Sequence, residues 1–219
     1  MAGVTDYAVG QVPGECGQVV VLYVNDNPDK EGDFTTALCC FSRENRADGW
    51  VKVVGTDWDD PIEANIGSGG IGLALDDSEQ TPLGSFPITR AIGRYELPEV
   101  QLPYHQIVPG DLWDVGHTYW SPAFGRGEET TYNTLITESV GQETENLNEF
   151  PSYNYAAFVD TNPSRRPGLG CAIFLHVEDD DGDTAGCVAI DEHIMKWILL
   201  WLDPGRTPYM TVLYGVAAP

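Results

Sequence analysis

The sequence predicts a mainly β, single-domain protein, and three observations carry that expectation. Runs of β-branched and aromatic residues of strand length recur between turn clusters. The 24 Gly and 15 Pro in 219 residues leave little room for long helices, and helical periodicity shows in one stretch near the C-terminus. One core can organise a chain of this size, since a domain typically holds about 100–200 residues, and the 42% hydrophobic content is that of a globular protein.

Residues 1–16 have little pattern and are expected to be a flexible N-terminal segment ahead of one domain over 17–215. The run Gln18 to Val24, closed by Asn25-Asp26-Asn27-Pro28-Asp29, predicts a central strand. Thr35 to Phe41 and Trp50 to Val54 predict two more, with a hairpin turn at Ala47-Asp48-Gly49, so the start reads as a meander. The glycines of Ile66 to Gly72 could cradle a phosphate or make tight turns. A cradle needs a following helix and usually a Lys, and neither follows, so turns are expected.

An acidic loop leads to Thr81-Pro82-Leu83-Gly84-Ser85-Phe86. Residues 95–130 hold Tyr104, His105, Trp113, His117, Tyr119, Trp120 and Phe124 in a stretch of little periodicity. They read either as an insert that serves as lid or binding surface, or as a loop pinned by its own aromatics. Thr131 to Glu138 and Tyr153 to Asp160 predict strands flanking an acidic connector, 141–150. Cys171 to Val177 predicts a buried strand and Gly186 to Ile190 a second. A helix then starts at the N-cap Asp191, runs through Ile194, Ile198, Leu199 and Leu202, and stops at Asp203-Pro204-Gly205. Tyr209 to Tyr214 supplies a closing strand.

With 34 acidic against 11 basic residues, the formal charge of −23 opposes binding to phosphate backbones and anionic lipid, which excludes nucleic acid as a partner. No run of about 20 apolar residues predicts a membrane span. The start of the chain lacks the basic and apolar segments of an export signal.

The five cysteines, Cys16, Cys39, Cys40, Cys171 and Cys187, are an odd number. The first four could bridge in pairs, or Cys39, Cys40 and Cys171 could be small buried hydrophobes in strands, and the sequence leaves both open. Cys187 has a chemical context: a thiol becomes a useful nucleophile beside an imidazole and backbone N–H donors. His176 ends one predicted strand and Cys187 lies eleven positions later on the next, so a hairpin could bring the pair together. Gly186 would leave the backbone beside the thiol uncovered, as an oxyanion hole requires. A zinc site would need four ligands and no second pair supplies them. A calcium loop across Glu178 to Asp183 would put Val177 and Val188 where oxygen ligands are required, so that run reads as a solvated acidic loop. No cofactor and no metal is expected. His105, His117 and His193 read as surface or packing residues, and the helix stripe with Trp197 and Trp201 as core packing.

His176, followed after a loop by Thr184-Ala185-Gly186-Cys187-Val188, resembles the signature of the L,D-transpeptidase catalytic domain, or YkuD-like, family. Thr81-Pro82-Leu83-Gly84-Ser85-Phe86 is similar to the family's Thr-Pro-x-Gly-x-Phe element, and Gly170 to His176 to the strand that leads to its histidine. The resemblance spans about residues 17 to 214. It implies a β-sandwich-like catalytic fold with one C-terminal helix after the cysteine. It also implies cysteine-dependent acyl transfer on peptidoglycan stem peptides, at the bond between meso-diaminopimelate and D-alanine.

On this resemblance Cys187 would form a thioester, His176 would take and return the proton, and the Val177 carbonyl would orient the ring. Gly186 would belong to the catalytic turn, and Thr184, Ala185 and Val188 would contact substrate. An amine would resolve the thioester into a cross-link. The alternative is a hydrolase of the same fold, a carboxypeptidase or endopeptidase that includes wall-targeting toxins. A silent wall-binding module is disfavoured by the intact Cys and His. A generic cysteine peptidase would need an Asn or Asp side chain to orient His176, and none is evident. A monomer in the cell envelope, periplasmic or secreted, is expected. Two positions depart from the family pattern: Val177 stands where many members have Gly or Ser, and Ala189 where many have Arg or Asn.

Overall fold

The computed structural model describes residues 12–53, 61–116, 131–139, 143–179 and 182–219. Its strands are β1 (Gln18–Asp26), β2 (Phe34–Ser42), β3 (Val51–Val53), β4 (Ile71–Gly72), β5 (Thr81–Pro82), β6 (Gly84–Gly93) and β7 (Tyr104–Gln106), then β8 (Leu112–Asp114), β9 (Leu135–Ile136) and β10 (Thr144–Asn146), and finally β11 (Ala156–Val159), β12 (Phe174–Val177), β13 (Val188–Ile190) and β14 (Tyr209–Tyr214). One α-helix, α1 (Glu192–Trp201), follows β13. Among the described residues the fold is mainly β with a single α-helix, after Cys187, as the sequence predicts.

Among the described residues the principal sheet has nine strands in the order β13-β12-β11-β6-β14-β1-β2-β3, with β7 paired to β6 off that path. The apolar run of β1 is buried because the strand lies inside the sheet, parallel to β14 on one edge and antiparallel to β2 on the other. β1, β2 and β3 form the predicted meander. Side chains alternate across a strand, and the two faces of the sheet therefore hold different cores. Val20, Leu22 and Val24 of β1 join Leu175, Val177, Val188 and Ile190 under the helix residues Ile194, Met195, Ile198 and Leu199. On the other face Val19, Val21 and Tyr23 pack with Cys39 and Phe41. Further along that sheet a third cluster joins Ile92, Phe158 and Phe174 to Trp113, Leu147 and Tyr153.

The stripe of α1 is core, as expected, while Trp197 and Trp201 stack on each other with ring centroids 5.7 Å apart. Asp191 caps the helix, its Oδ1 accepting from His193 N at 2.8 Å and Ile194 N at 3.3 Å. Asp191→Ala leaves those amides without that partner and is expected to cost about 1 kcal/mol. A urea titration reads this as a lower midpoint with an unchanged slope.

Three segments differ from expectation. Thr131 to Glu138 forms turns and the two-residue β9, with Asn133 at φ +58°. Tyr153 to Asp160 gives a 3-10 turn over Pro151–Asn154 before the shorter β11. Cys171 to Ile173 is not strand: Gly170 and Ala172 sit at φ +82° and +53°. Side chains take amides there that a ladder would otherwise use, Asp76 from Gly170 N and Asn133 from Ala172 N, each at 2.9 Å.

Of the aromatic insert, Trp113 is fully buried against Phe158 and Phe174, with centroids 4.9 and 5.0 Å away. His105 Nε2 meets Asp111 Oδ2 at 2.7 Å. The insert's His117, Tyr119, Trp120 and Phe124 lie outside the described residues. All five cysteines are free thiols, with Cys16, Cys39 and Cys40 buried as small hydrophobes. Among the described residues no helix is long and apolar enough to cross a membrane.

Candidate active site

The sequence places His176 and Cys187 on neighbouring strands; the structure has His176 within β12 and Cys187 just ahead of β13, in the turn that enters it, and joins the two through a different connection. β12 and β13 run parallel, with Leu175, His176 and Val177 opposite Val188, Ala189 and Ile190. The link over 178–187 is therefore a crossover, and the expected hairpin is corrected. That loop swings out to the Gly-rich segment, where Thr184 N donates to Ile66 O at 3.0 Å and Ser68 N to Thr184 O at 2.8 Å. The glycines there make turns, as predicted: Gly70 N donates to Gly67 O, and Gly70 has φ +76°.

Period-two alternation decides which residues share a face. Leu175, Val177, Val188 and Ile190 enter the main core. Phe174, His176, Cys187 and Ala189 consequently point the other way, and His176, Cys187 and Ala189 line one cleft of about 640 Å³. Thr184 and Ala185 line it too. Val188 does not: it is 1% exposed in the main core, because the pleat turns it away from its two neighbours. Substrate contact by the Val188 side chain is corrected on that ground.

Two motifs about a hundred residues apart meet at one atom. The Cys187 carbonyl accepts from Thr184 Oγ1 at 2.8 Å and from Thr81 Oγ1 at 3.2 Å. Each hydroxyl also accepts a backbone amide, Thr184 from Gly186 N at 3.1 Å and Thr81 from Gly67 N at 2.8 Å. Thr81 is 1% exposed, so its role is to fix this turn from beneath. Gly186 sits at φ +124°, and a Cβ there would lie 2.9 Å from the Gln80 carbonyl oxygen. The glycine is needed for that close backbone approach, with its flank covered by Gln80, which corrects the expectation of an open flank. Gly186→Ala is expected to cost about 1–3 kcal/mol, measured as a fall in the thermal unfolding midpoint.

The Cys187 thiol is half-buried. Its Sγ donates to Ala172 O at 3.2 Å and accepts from Phe174 N at 3.4 Å. Burial pushes the thiol up to about 12, opposed by the Phe174 amide and assisted by the charge of Glu145. His176 is 7% exposed and its Nδ1 lies 2.7 Å from Val177 O. A carbonyl only accepts, so Nδ1 carries the proton and Nε2 keeps its lone pair. Burial holds the imidazole below its ordinary value, against the opposing Val177 bond and the Asp179 charge. The pair therefore rests as neutral thiol and neutral imidazole, an arrangement that suits a base acting when substrate arrives.

Four residues of this site are not marked by the sequence motifs. Asp76 accepts from Tyr132 Oη and Gly170 N, and at 2.7 Å from Gly168 N, which ties the acidic loop to the wall of the cleft. Asn133 Oδ1 accepts from Ala172 N and from Trp113 Nε1 at 3.0 Å, which holds the residue whose carbonyl accepts from the thiol. Tyr153 packs with its ring centroid 6.1 Å from that of His176 and donates through its hydroxyl to Glu145 Oε1. Glu145 lines the cleft from β10, inside the stretch read only as an acidic connector. No local spacing could reveal them, because each reaches the site through a tertiary contact.

The comparisons with curated proteins and with solved structures gave no match. A family model, that of the L,D-transpeptidase catalytic domain (YkuD), matches residues 50–212, which take in β3 to β13, helix α1 and most of β14. Members of that family are cysteine-dependent enzymes that act on peptidoglycan, and with most of its length matched this chain belongs to the L,D-transpeptidase catalytic domain family.

Proposed function

We propose that the protein is a cysteine acyltransferase of peptidoglycan stem peptides, with Cys187 as nucleophile and His176 as base. The observation that carries this reading is the shared cleft: both side chains line it, His176 from β12 and Cys187 from the turn that enters the adjacent β13, with His176 held in the tautomer that presents Nε2. The Cys187 sulfur attacks the carbonyl between meso-diaminopimelate and D-alanine as the thiol proton leaves its hydrogen bond to the Ala172 carbonyl and passes from Sγ to His176 Nε2. The C–N bond breaks, the imidazolium protonates the leaving amine, and a thioester remains. The Val177 carbonyl steadies the imidazolium from Nδ1.

Gly186 N–H is engaged by Thr184, so the reading assigns the developing oxyanion to the Cys187 amide rather than to Gly186. Thr184 and Ala185, at the rim, are its substrate-contacting residues. The catalytic domain extends ahead of the family match to residue 17, since β1 is an interior strand of the same sheet. The reading places the protein in the cell envelope, periplasmic or secreted, as a monomer.

The test is incubation with a disaccharide tetrapeptide stem and mass analysis of the products. Release of D-alanine with cross-linked dimers supports acyl transfer to an amine, and release with shortened monomers alone supports hydrolysis. An unchanged stem contradicts the reading.

A further inference from the structure

The thioester proposed above must be resolved, and Glu145 is a cleft residue that the acylation step does not use. β10, which carries it, pairs with β8 so that Glu145 stands opposite the buried Trp113. Its Oε1 is held by the Tyr153 hydroxyl, and Tyr153 is itself locked edge-on against Phe174 with centroids 5.3 Å apart. Among the described residues Oε2 has no hydrogen-bond partner. The carboxyl group is thus fixed in the same cleft as the nucleophile with one oxygen available.

Its charge is unfavourable for the first half of the reaction, because Glu145 acts on Cys187 in the direction that opposes the thiolate. A carboxylate beside a nucleophile it hinders needs a different purpose, and a cation supplies one. Among the described residues no Lys or Arg lines the cleft, while Glu143, Asp179 and Asp183 do. Ala189, also on its wall, presents no positive charge to compete. An alkylamine arrives as ammonium: with an ordinary pKa of about 10.4, only about one molecule in a thousand is free amine near neutral pH. Removing that proton inside the cleft is therefore the step in which a fixed carboxylate has the most to offer.

Resting on the acyl-transfer reading, we propose that Glu145 receives the ammonium group of a primary-amine acceptor and takes its proton. Glu145 accepts one proton from the ammonium, and the free amine attacks the thioester carbonyl. The C–N bond forms, the C–S bond breaks, and the second amine proton passes through His176 to the departing sulfur. Cys187 returns as thiol and Glu145 releases its proton to solvent. Burial holds the Glu145 carboxyl above its ordinary value, and the Tyr153 hydroxyl opposes that shift. This brings the base closer to neutral pH, where proton transfer is most effective.

The test uses the thioester formed from the tetrapeptide stem, with Nα-acetyl-lysinamide as a charged acceptor and hydroxylamine as an amine uncharged at neutral pH. In E145Q the ratio of lysinamide product to hydrolysed product is expected to fall about 10-fold or more, while the ratio of hydroxamate to hydrolysed product stays within about 2-fold of wild type. Y153F removes the donor that favours the Glu145 carboxylate, so the pH limb of lysinamide transfer is expected to move upward. That second variant decides the matter if E145Q does not fold. Equal loss with both amines, or an unmoved limb in Y153F, overturns the proposal and leaves the nucleophile assignment standing. A wild type that forms no thioester removes the reading beneath it as well.

Discussion

Cys187→Ala is expected to lower D-alanine release from a tetrapeptide stem by about 10⁴-fold or more, to the level left by binding alone. The size follows from the absence of a substitute. Cys171 lies in the same cleft, but burial also holds its thiol up at about 12, and its neighbours include Tyr132 rather than His176. The fold is expected to tolerate the change, because Cys187 is half-buried at the edge of the third cluster and its carbonyl clamp of Thr81 and Thr184 is a backbone contact. Equal unfolding midpoints for the two proteins, together with the lost activity, would separate chemistry from stability.

His176→Gln is expected to cost about 10³-fold in the acylation rate, within the range for removal of a general base. It also removes a titration. Burial keeps the His176 imidazole below 6.5 in the folded protein, and only the neutral ring can accept the thiol proton. The wild-type rate is therefore full above that pKa and falls as pH drops through it. Because the thiol is pushed up to about 12, no thiolate limb is expected between pH 6.5 and 9. A pre-steady-state profile of acylation against pH reads both features, and the residual rate of His176→Gln should lack the acid limb.

Much of this was legible in the chain because it is local. The β-branched run of β1, the Asp191 cap followed by an apolar stripe, and the Thr-x-Gly-Cys turn each determine their structure within about ten residues. The strand expected from Cys171 fails because Asp76 and Asn133, remote in sequence, take the amides of Gly170 and Ala172 and hold the chain at positive φ. The hairpin expected between His176 and Cys187 fails for a similar reason. Pairing of Thr184 with Ile66 and Ser68 draws the connection away, so β13 comes back parallel to β12. Glu145 and Tyr153 show the same limit within the site, since neither lies in a motif: Tyr153 packs against His176 and shares the third cluster with Cys187, and Glu145 is held in the cleft by the Tyr153 hydroxyl. Thr81 is the intermediate case: its motif was visible, while its hydrogen bond to the Cys187 carbonyl exists only in three dimensions.

If Cys187 carries the acyl group, acid-quenched mass spectrometry of the protein during turnover of the tetrapeptide stem traps it there. A transient adduct with the mass of the stem less D-alanine is expected on the fragment that bears Cys187, and none in Cys187→Ala. An adduct on Cys171, or release of D-alanine with no covalent species at any time point, would contradict that role of Cys187.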